Sequence, residues 1–161
     1  MADISPATVR SLITDFFSRI EGSGIRTPED TNKRAMLADD SYSPITKSEI
    51  LEIAKTHPLL VTPELDGMDI ADCDDYALQL KAAATALYRS RAVAAGAACM
   101  PPAVGMLFSQ DHVVNFFISR DDAGKPVLWV IDTSEKDRPI TSNADEAMSL
   151  CGTFPLQWMY I

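Results

Sequence analysis

Cysteine, histidine and basic charge are scarce in this chain of 161 residues, which carries three Cys, two His and 14 Lys and Arg. The cysteines, Cys73, Cys99 and Cys151, show no CxxC spacing and no Cys/His grouping of the zinc type. Neither a disulfide scaffold nor a structural zinc site is encoded, and a reducing, cytoplasmic setting is the expectation. No run approaches the roughly 20 uninterrupted apolar residues that span a bilayer. The opening MADISPATVR also lacks the basic and apolar regions of an export signal, so no membrane partner is expected. Against the few bases stand 23 Asp and Glu, a net charge of -9, which repels a phosphate backbone and argues against nucleic acid as a partner.

What remains is the balance of a globular protein, with 47% apolar and 23% charged residues. One domain over 1–161 is expected, with a helical N-terminal part over 1–60 and the core over 61–161. Ser5 and Pro6 are helix-start chemistry for Val9, Leu12, Ile13, Phe16, Phe17 and Ile20, and Gly22 and Gly24 stop that helix. The stretch 25–43 is irregular and reads as loop with one helical turn around 33–37. Thr46 and Glu49 form a capping box for a short helix ending near His57, before Pro58. His57 reads as a surface or C-capping residue. After a loop over 61–71, Asp72 caps a long Ala- and Leu-rich helix from Cys73 to Ala95.

Beyond Gly96 the texture is that of strands, over 104–108, 112–119 and 127–132, the last two joined by hairpin chemistry at 120–125. An antiparallel sheet is expected. Asn143 and Glu146 signal a short helix through Leu150, and 154–161 is apolar and aromatic enough for a closing strand. No internal repeat or linker interrupts the chain.

Cys73, His112 and Asp132 stand out because they follow the order nucleophile, base, acid. A helix N-terminus supplies N–H groups and the positive end of the dipole to a thiolate, an imidazole can take its proton, and a carboxylate can orient the imidazole. Hairpin arithmetic tests whether the last two meet. If Arg120 pairs with Gly124, His112 lies opposite Asp132; if Asp121 pairs with Lys125, Asp132 lies opposite Val114 and diagonal to His112. Either register puts them on one face, whereas an even loop would separate them. Gly124 suits the left-handed position of a three-residue loop. Each residue also has a plainer use: Cys73 as a small packed side chain, His112 as a core histidine beside Val114, Phe116 and Ile118, and Asp132 as a turn former with Thr133 and Ser134. Cys99 and Cys151 have no polar neighbours in sequence and read as structural.

A second signal is acidic: Asp66, Asp69, Asp72, Asp74 and Asp75, with no base before Lys81. Such a run is ordinarily a solvated loop and helix start. Beside Cys73 it raises a thiol pKa that catalysis needs lowered, a conflict that a hard, oxygen-loving cation such as Ca²⁺ would remove, although the spacing is not that of an EF-hand.

These residues carry a resemblance. Asp72-Cys73-Asp74-Asp75-Tyr76-Ala77 with Leu80-Lys81, then His112-Val113-Val114-Asn115, then Trp129-Val130-Ile131-Asp132, cover about the middle third of the chain. They resemble the papain-like, calcium-dependent cysteine protease domain of fungal lectins of the Marasmius oreades agglutinin type, and small bacterial and phage proteins that are similar. The resemblance implies a papain-like α+β fold, a catalytic triad of Cys73 as nucleophile, His112 as base and Asp132 as orienting acid, and Ca²⁺ held by Asp74, Asp75 and Asp132. The chain departs from that pattern at Asp132-Thr133-Ser134, where the family has Glu followed by Pro-Gln. It lacks a glutamine before Cys73 to stabilise an oxyanion, and it has no sugar-binding β-trefoil.

Three functions fit. A small cysteine hydrolase would act as a peptidase or amidase on a peptide or protein substrate, by acyl transfer through a thioester. A non-enzymatic, acidic binding or inhibitor protein of phage or bacterial origin would retain the fold and dock on a basic surface. A transglutaminase-like or amidase-like modifying enzyme would use the same three residues on another substrate.

Overall fold

Helix-start chemistry sets the N-terminal half. The computed structural model describes residues 3–57, 60, 72–135 and 137–161. In it Ser5 Oγ accepts from the Thr8 amide at 3.2 Å and opens α1, Pro6–Phe17. The stretch expected to be loop with a turn at 33–37 instead carries α2, Pro28–Arg34. Its start is a capping box, with Asp30 N donating to Thr27 Oγ1 at 3.2 Å and Thr27 N to Asp30 Oδ2 at 2.9 Å. Thr-Pro-Glu-Asp is that signal written with Asp in place of the usual Glu. The Thr46–Glu49 box forms as expected and starts α3, Lys47–Thr56, which His57 caps. The long helix, α4, is Cys73–Ala95 with Asp72 at its N-cap, and it ends where Gly96 turns left-handed at φ 59°. The expected loop over 61–71, with Asp66 and Asp69, lies outside the described residues.

Five strands join the sheet around β2, Val104–Phe108. They are β1, Ala35–Met36; β3, Val113–Arg120; β4, Pro126–Ile131; β5, Ile140–Thr141; and β6, Trp158–Tyr160. A short helix, α5, Ala144–Leu150, lies between β5 and β6. The order is β1-β6-β2-β3-β4-β5. The sheet is mixed, which corrects the antiparallel expectation: β1 runs parallel to β6, and partners that far apart in sequence leave no turn signal between them. The closing strand is also shorter than 154–161.

Alternation along β3 and β4 sorts the core into two layers. Val114, Phe116, Ile118, Leu128 and Val130 pack with Val9, Ile13, Phe16 and Phe17 of α1 and Ala144 and Ala147 of α5. On the other face Val104, Phe117 and Ile131 pack with Ile50, Ile53 and Ala54 of α3 and Tyr76, Leu80 and Ala84 of α4. The architecture is therefore α+β, a sheet between two helical layers, and the N-terminal part is built onto the same sheet as the core. Among the described residues no helix is long and apolar enough to cross a membrane.

Candidate active site

The β3–β4 hairpin takes the second of the two registers. Arg120 pairs with Pro126 and Asn115 with Ile131, Asp121 N donates to Lys125 O at 3.0 Å, and Gly124 adopts φ 78°. Asp132, one residue past β4, therefore falls diagonal to His112, one residue before β3. Their side chains meet, with His112 Nε2 2.7 Å from Asp132 Oδ2.

The pair is half enclosed, with side-chain exposures of 22% for His112 and 5% for Asp132. Burial pushes the Asp132 carboxyl up, but hydrogen bonds from His112 and Ser134 win and hold it below its ordinary value. Its Oδ1 accepts from Ser134 N at 2.9 Å and Ser134 Oγ at 2.7 Å, so both oxygens have partners. The hydrogen bond to Asp132 raises the His112 pKa against the opposing cost of burial. With Nε2 turned to the carboxylate, Nδ1 is the nitrogen left for a thiol or a substrate.

The turn carrying His112 is pinned from outside the sheet. Asp111 accepts from Thr153 N at 2.7 Å and Thr153 Oγ1 at 2.6 Å. Gly152 lies against it at φ 70°, where a Cβ would stand 2.7 Å from both His112 Cβ and Asp111 Oδ1. Only glycine meets both demands.

Cys73 occupies the first position of α4 and is half-buried. Burial is the largest influence on its thiol, the charges of Asp72 and Asp74 act in the same direction, and the Val113 amide opposes them only in part. The thiol therefore sits above its ordinary pKa. Cys73 begins the helix whose first turns accept from Asn115, three residues past His112, while no hydrogen bond among the described residues joins its sulfur to the imidazole.

One residue links the parts. Asn115, fully buried, donates from Nδ2 to Ala77 O in the first turns of α4 at 2.8 Å and to Gly105 O of β2 at 3.1 Å. Its Oδ1 accepts from Thr133 Oγ1, beside Asp132, at 3.3 Å. It therefore ties the helix bearing Cys73 to the strand bearing His112 and the turn bearing Asp132. The sequence placed it in the H-x-x-N phrase without assigning it this task; its odd position on β3, opposite in phase to Val114 and Phe116, is the available signal.

The acids divide. Asp72, Asp74 and Asp75 can each offer one oxygen within 4.8 Å of the others, all exposed. Asp72 N donates to Asp75 Oδ2 at 3.4 Å. A hydrogen bond between Asp74 and Asp72 lowers the Asp72 pKa and raises that of Asp74. Asp132 lies outside that group. Of the other cysteines, Cys151 is buried, its thiol pushed up to about 12 mainly by burial and further by Asp132, whereas Cys99, expected to be structural, is exposed.

Neither the family models nor the curated proteins include a match to this chain. Solved structures do match. The chain is similar to a structure described as a PSL1a-E64 complex, at TM-score 0.68 and 16% identity, over 99% of its own length and 50% of that chain. It is also similar to Polyporus squamosus lectin bound to the human-type influenza-binding epitope Neu5Aca2-6Galb1-4GlcNAc, at TM-score 0.60 and 17% identity, over 94% and 48%. The chain spans about half the length of the structures it matches, and at this identity the likeness is one of fold.

Proposed function

We propose that the chain is a small cysteine hydrolase of papain-like α+β architecture, acting on peptide or other amide bonds. The observation that carries this reading is the 2.7 Å contact of His112 with Asp132, made at the end of a strand that Asn115 ties to the first turns of the helix bearing Cys73. A neighbouring fold solved with E64, a thiol-reactive epoxide, supports it. In this reading Cys73 Sγ attacks the scissile carbonyl while His112 Nδ1 takes its proton. The imidazolium, held by Asp132, returns that proton to the leaving amine. A thioester on Cys73 remains, which water, deprotonated by His112, hydrolyses. The raised thiol pKa means a neutral thiol at rest, so proton transfer accompanies attack.

Calcium belongs to the same proposal. Three clustered carboxylates suit a hard cation, and the residues that would hold it are Asp74 and Asp75 with Asp72, while Asp132, the third ligand expected, has its oxygens engaged by His112 and Ser134. Its positive charge would lower the Cys73 pKa.

The raised thiol pKa and the missing bond to the imidazole favour a second reading, a binding module that keeps the fold. One experiment separates the two. Cys73→Ala, His112→Ala and Asp132→Asn are assayed against a peptide library read by mass spectrometry. The enzyme reading expects cleavage by the wild type and loss in each variant, with double variants no worse than singles. Full activity of Cys73→Ala, or no cleavage together with binding of Neu5Aca2-6Galb1-4GlcNAc, would replace it with the module.

A further inference from the structure

Among the described residues, the helical layer on the α4 face stops short of one side of the sheet. Asn115 points to α4, and residues opposite one another across the ladder share a face, so the pairs Val113–Phe108 and Asn115–Met106 place Phe108 and Met106 on that face. The next pairings place Trp158, Tyr160 and then Met36 there too. Phe108 and Trp158 stack at 3.6 Å with planes 10° apart, and Lys81 of α4 lies 5.0 Å over the Tyr160 ring. None of Phe108, Trp158, Tyr160 or Met36 joins the core beneath α3 and α4. Trp158 is 43% exposed, Met36 63%, and Leu78, one helical turn before Lys81, 51%. Only five large apolar side chains are exposed among the described residues, and two of them, Trp158 and Met36, lie on this sheet face beside the stacked Phe108.

From its position we infer that this ledge seats an aromatic or large aliphatic side chain of the peptide presented to Cys73. The inference rests on the hydrolase reading and names the substrate class of that site. The first turns of α4, which begins at Cys73, accept from Asn115 of β3, Val113 at the start of that strand pairs with Phe108, and Phe108 stacks on Trp158, so the ledge begins beside the helix start and runs outward along β2 and β6. A peptide lying there would bury the indole face and the Met36 side chain, which is where an apolar side chain gains most. Extended substrate along an apolar floor leaves specificity to that floor and chemistry to the helix start.

The probes are acetylated hexapeptide amides in which each position in turn is Phe, Leu, Ala or Asp. Their binding to full-length Cys73→Ala is measured by calorimetry and their cleavage by wild type is followed in parallel. At one position Phe and Leu should bind at least about 10-fold more tightly than Ala, the range in which apolar pockets discriminate. Trp158→Ala and, at the exposed edge, Met36→Lys should each erase that preference while melting as the parent does. If Trp158→Ala fails to fold, Met36→Lys and Trp158→Phe decide, the first losing and the second keeping the preference. Equal binding of Phe and Ala peptides overturns the inference, as does a preference that survives in Met36→Lys. A dimer that Met36→Lys dissociates also overturns it, since a second copy would then hold the ledge. Apolar preference in Cys73→Ala with no cleavage by wild type keeps the ledge and refutes the hydrolase; cleavage without preference does the reverse.

Discussion

On the α4 face, the two halves of the sheet are built differently. Over β3 and β4 the layer is closed: Leu80, Ala84, Phe117 and Ile131 are buried with the α3 side chains, and Trp129 donates to Ser119 Oγ at 2.8 Å. Over β6 and β1, the described residues leave Trp158 and Met36 exposed. The closed half fixes α4 to the sheet, and Cys73, at the first position of that helix, is half-buried. A nucleophilic thiol must be both held and reachable, and under the proposed function the two halves of this face would divide those tasks.

The sharpest way to break that division of labour is at the thiol. Cys73→Ala should remove catalysis, a loss of at least about 10³-fold for a nucleophile. It should cost under about 1 kcal/mol of stability, because the side chain is only half-buried. Activity measured with melting checks both. A large drop in melting temperature would mean that Cys73 belongs to the closed half and serves packing.

The next largest effect belongs to Asn115. Removing its amide leaves the Gly105 and Thr133 groups short of a buried partner and frees the first turns of α4. Asn115→Ala should therefore cost about 3 kcal/mol, or roughly 6–12 °C of melting temperature in a chain of this size. Denaturant melts test the figure. Little loss of stability would show that the helix is held by its apolar contacts alone.

Legibility in the sequence follows the same division. The closed half was readable because its signals are local: the Thr46 box, the Ala-rich run from Cys73, and an odd-residue hairpin loop that forces His112 and Asp132 to one side. The open half was readable only in its pieces, the strand over 104–108 and a closing strand within 154–161, and not in how they assemble. β1 and β6 pair across most of the chain, α2 hides behind an Asp in the box position, and stacking of Phe108 on Trp158 depends on that distant pairing. At the site, the order Cys73, His112, Asp132 was legible, but the separation of Asp132 from the acids at the helix start was not, since charge runs carry no information about where a strand delivers a carboxylate.

The His112–Asp132 pair offers a smaller, pH-dependent test. The folded His112 value is raised, so its contribution is fully present below the ordinary His value, about 6.5, and is lost as pH rises through the folded one. The folded Asp132 value is lowered, so its contribution is present above the ordinary carboxylate value and lost as pH falls through the folded one. The pair is therefore strongest between about pH 4 and 6.5. The stability gap between wild type and Asp132→Asn should be larger at pH 5.5 than at pH 9, by on the order of 1 kcal/mol. A gap independent of pH would show that Asp132 stabilises through Ser134 and not through the imidazolium.

The smallest effect asks what keeps the reachable thiol quiet. Burial raises the Cys73 pKa first, and Asp72 and Asp74 add to it. Asp74→Asn removes one charge and should raise the thiolate fraction at neutral pH, but a lower pKa also makes a weaker nucleophile, with a Brønsted slope of about 0.4–0.5. For each unit of pKa removed, the tenfold gain in thiolate is thus cut to roughly threefold in alkylation rate. Because Cys99 is exposed, the measurement belongs in a Cys99→Ser background, read on the Cys73 peptide. Millimolar Ca²⁺ should accelerate the parent in the same direction and have less effect on Asp74→Asn, since a cation and a neutral side chain relieve the same repulsion. If neither changes the rate, burial alone sets the thiol, the acids are a solvated helix start, and the route to a reactive Cys73 runs through His112 without a metal.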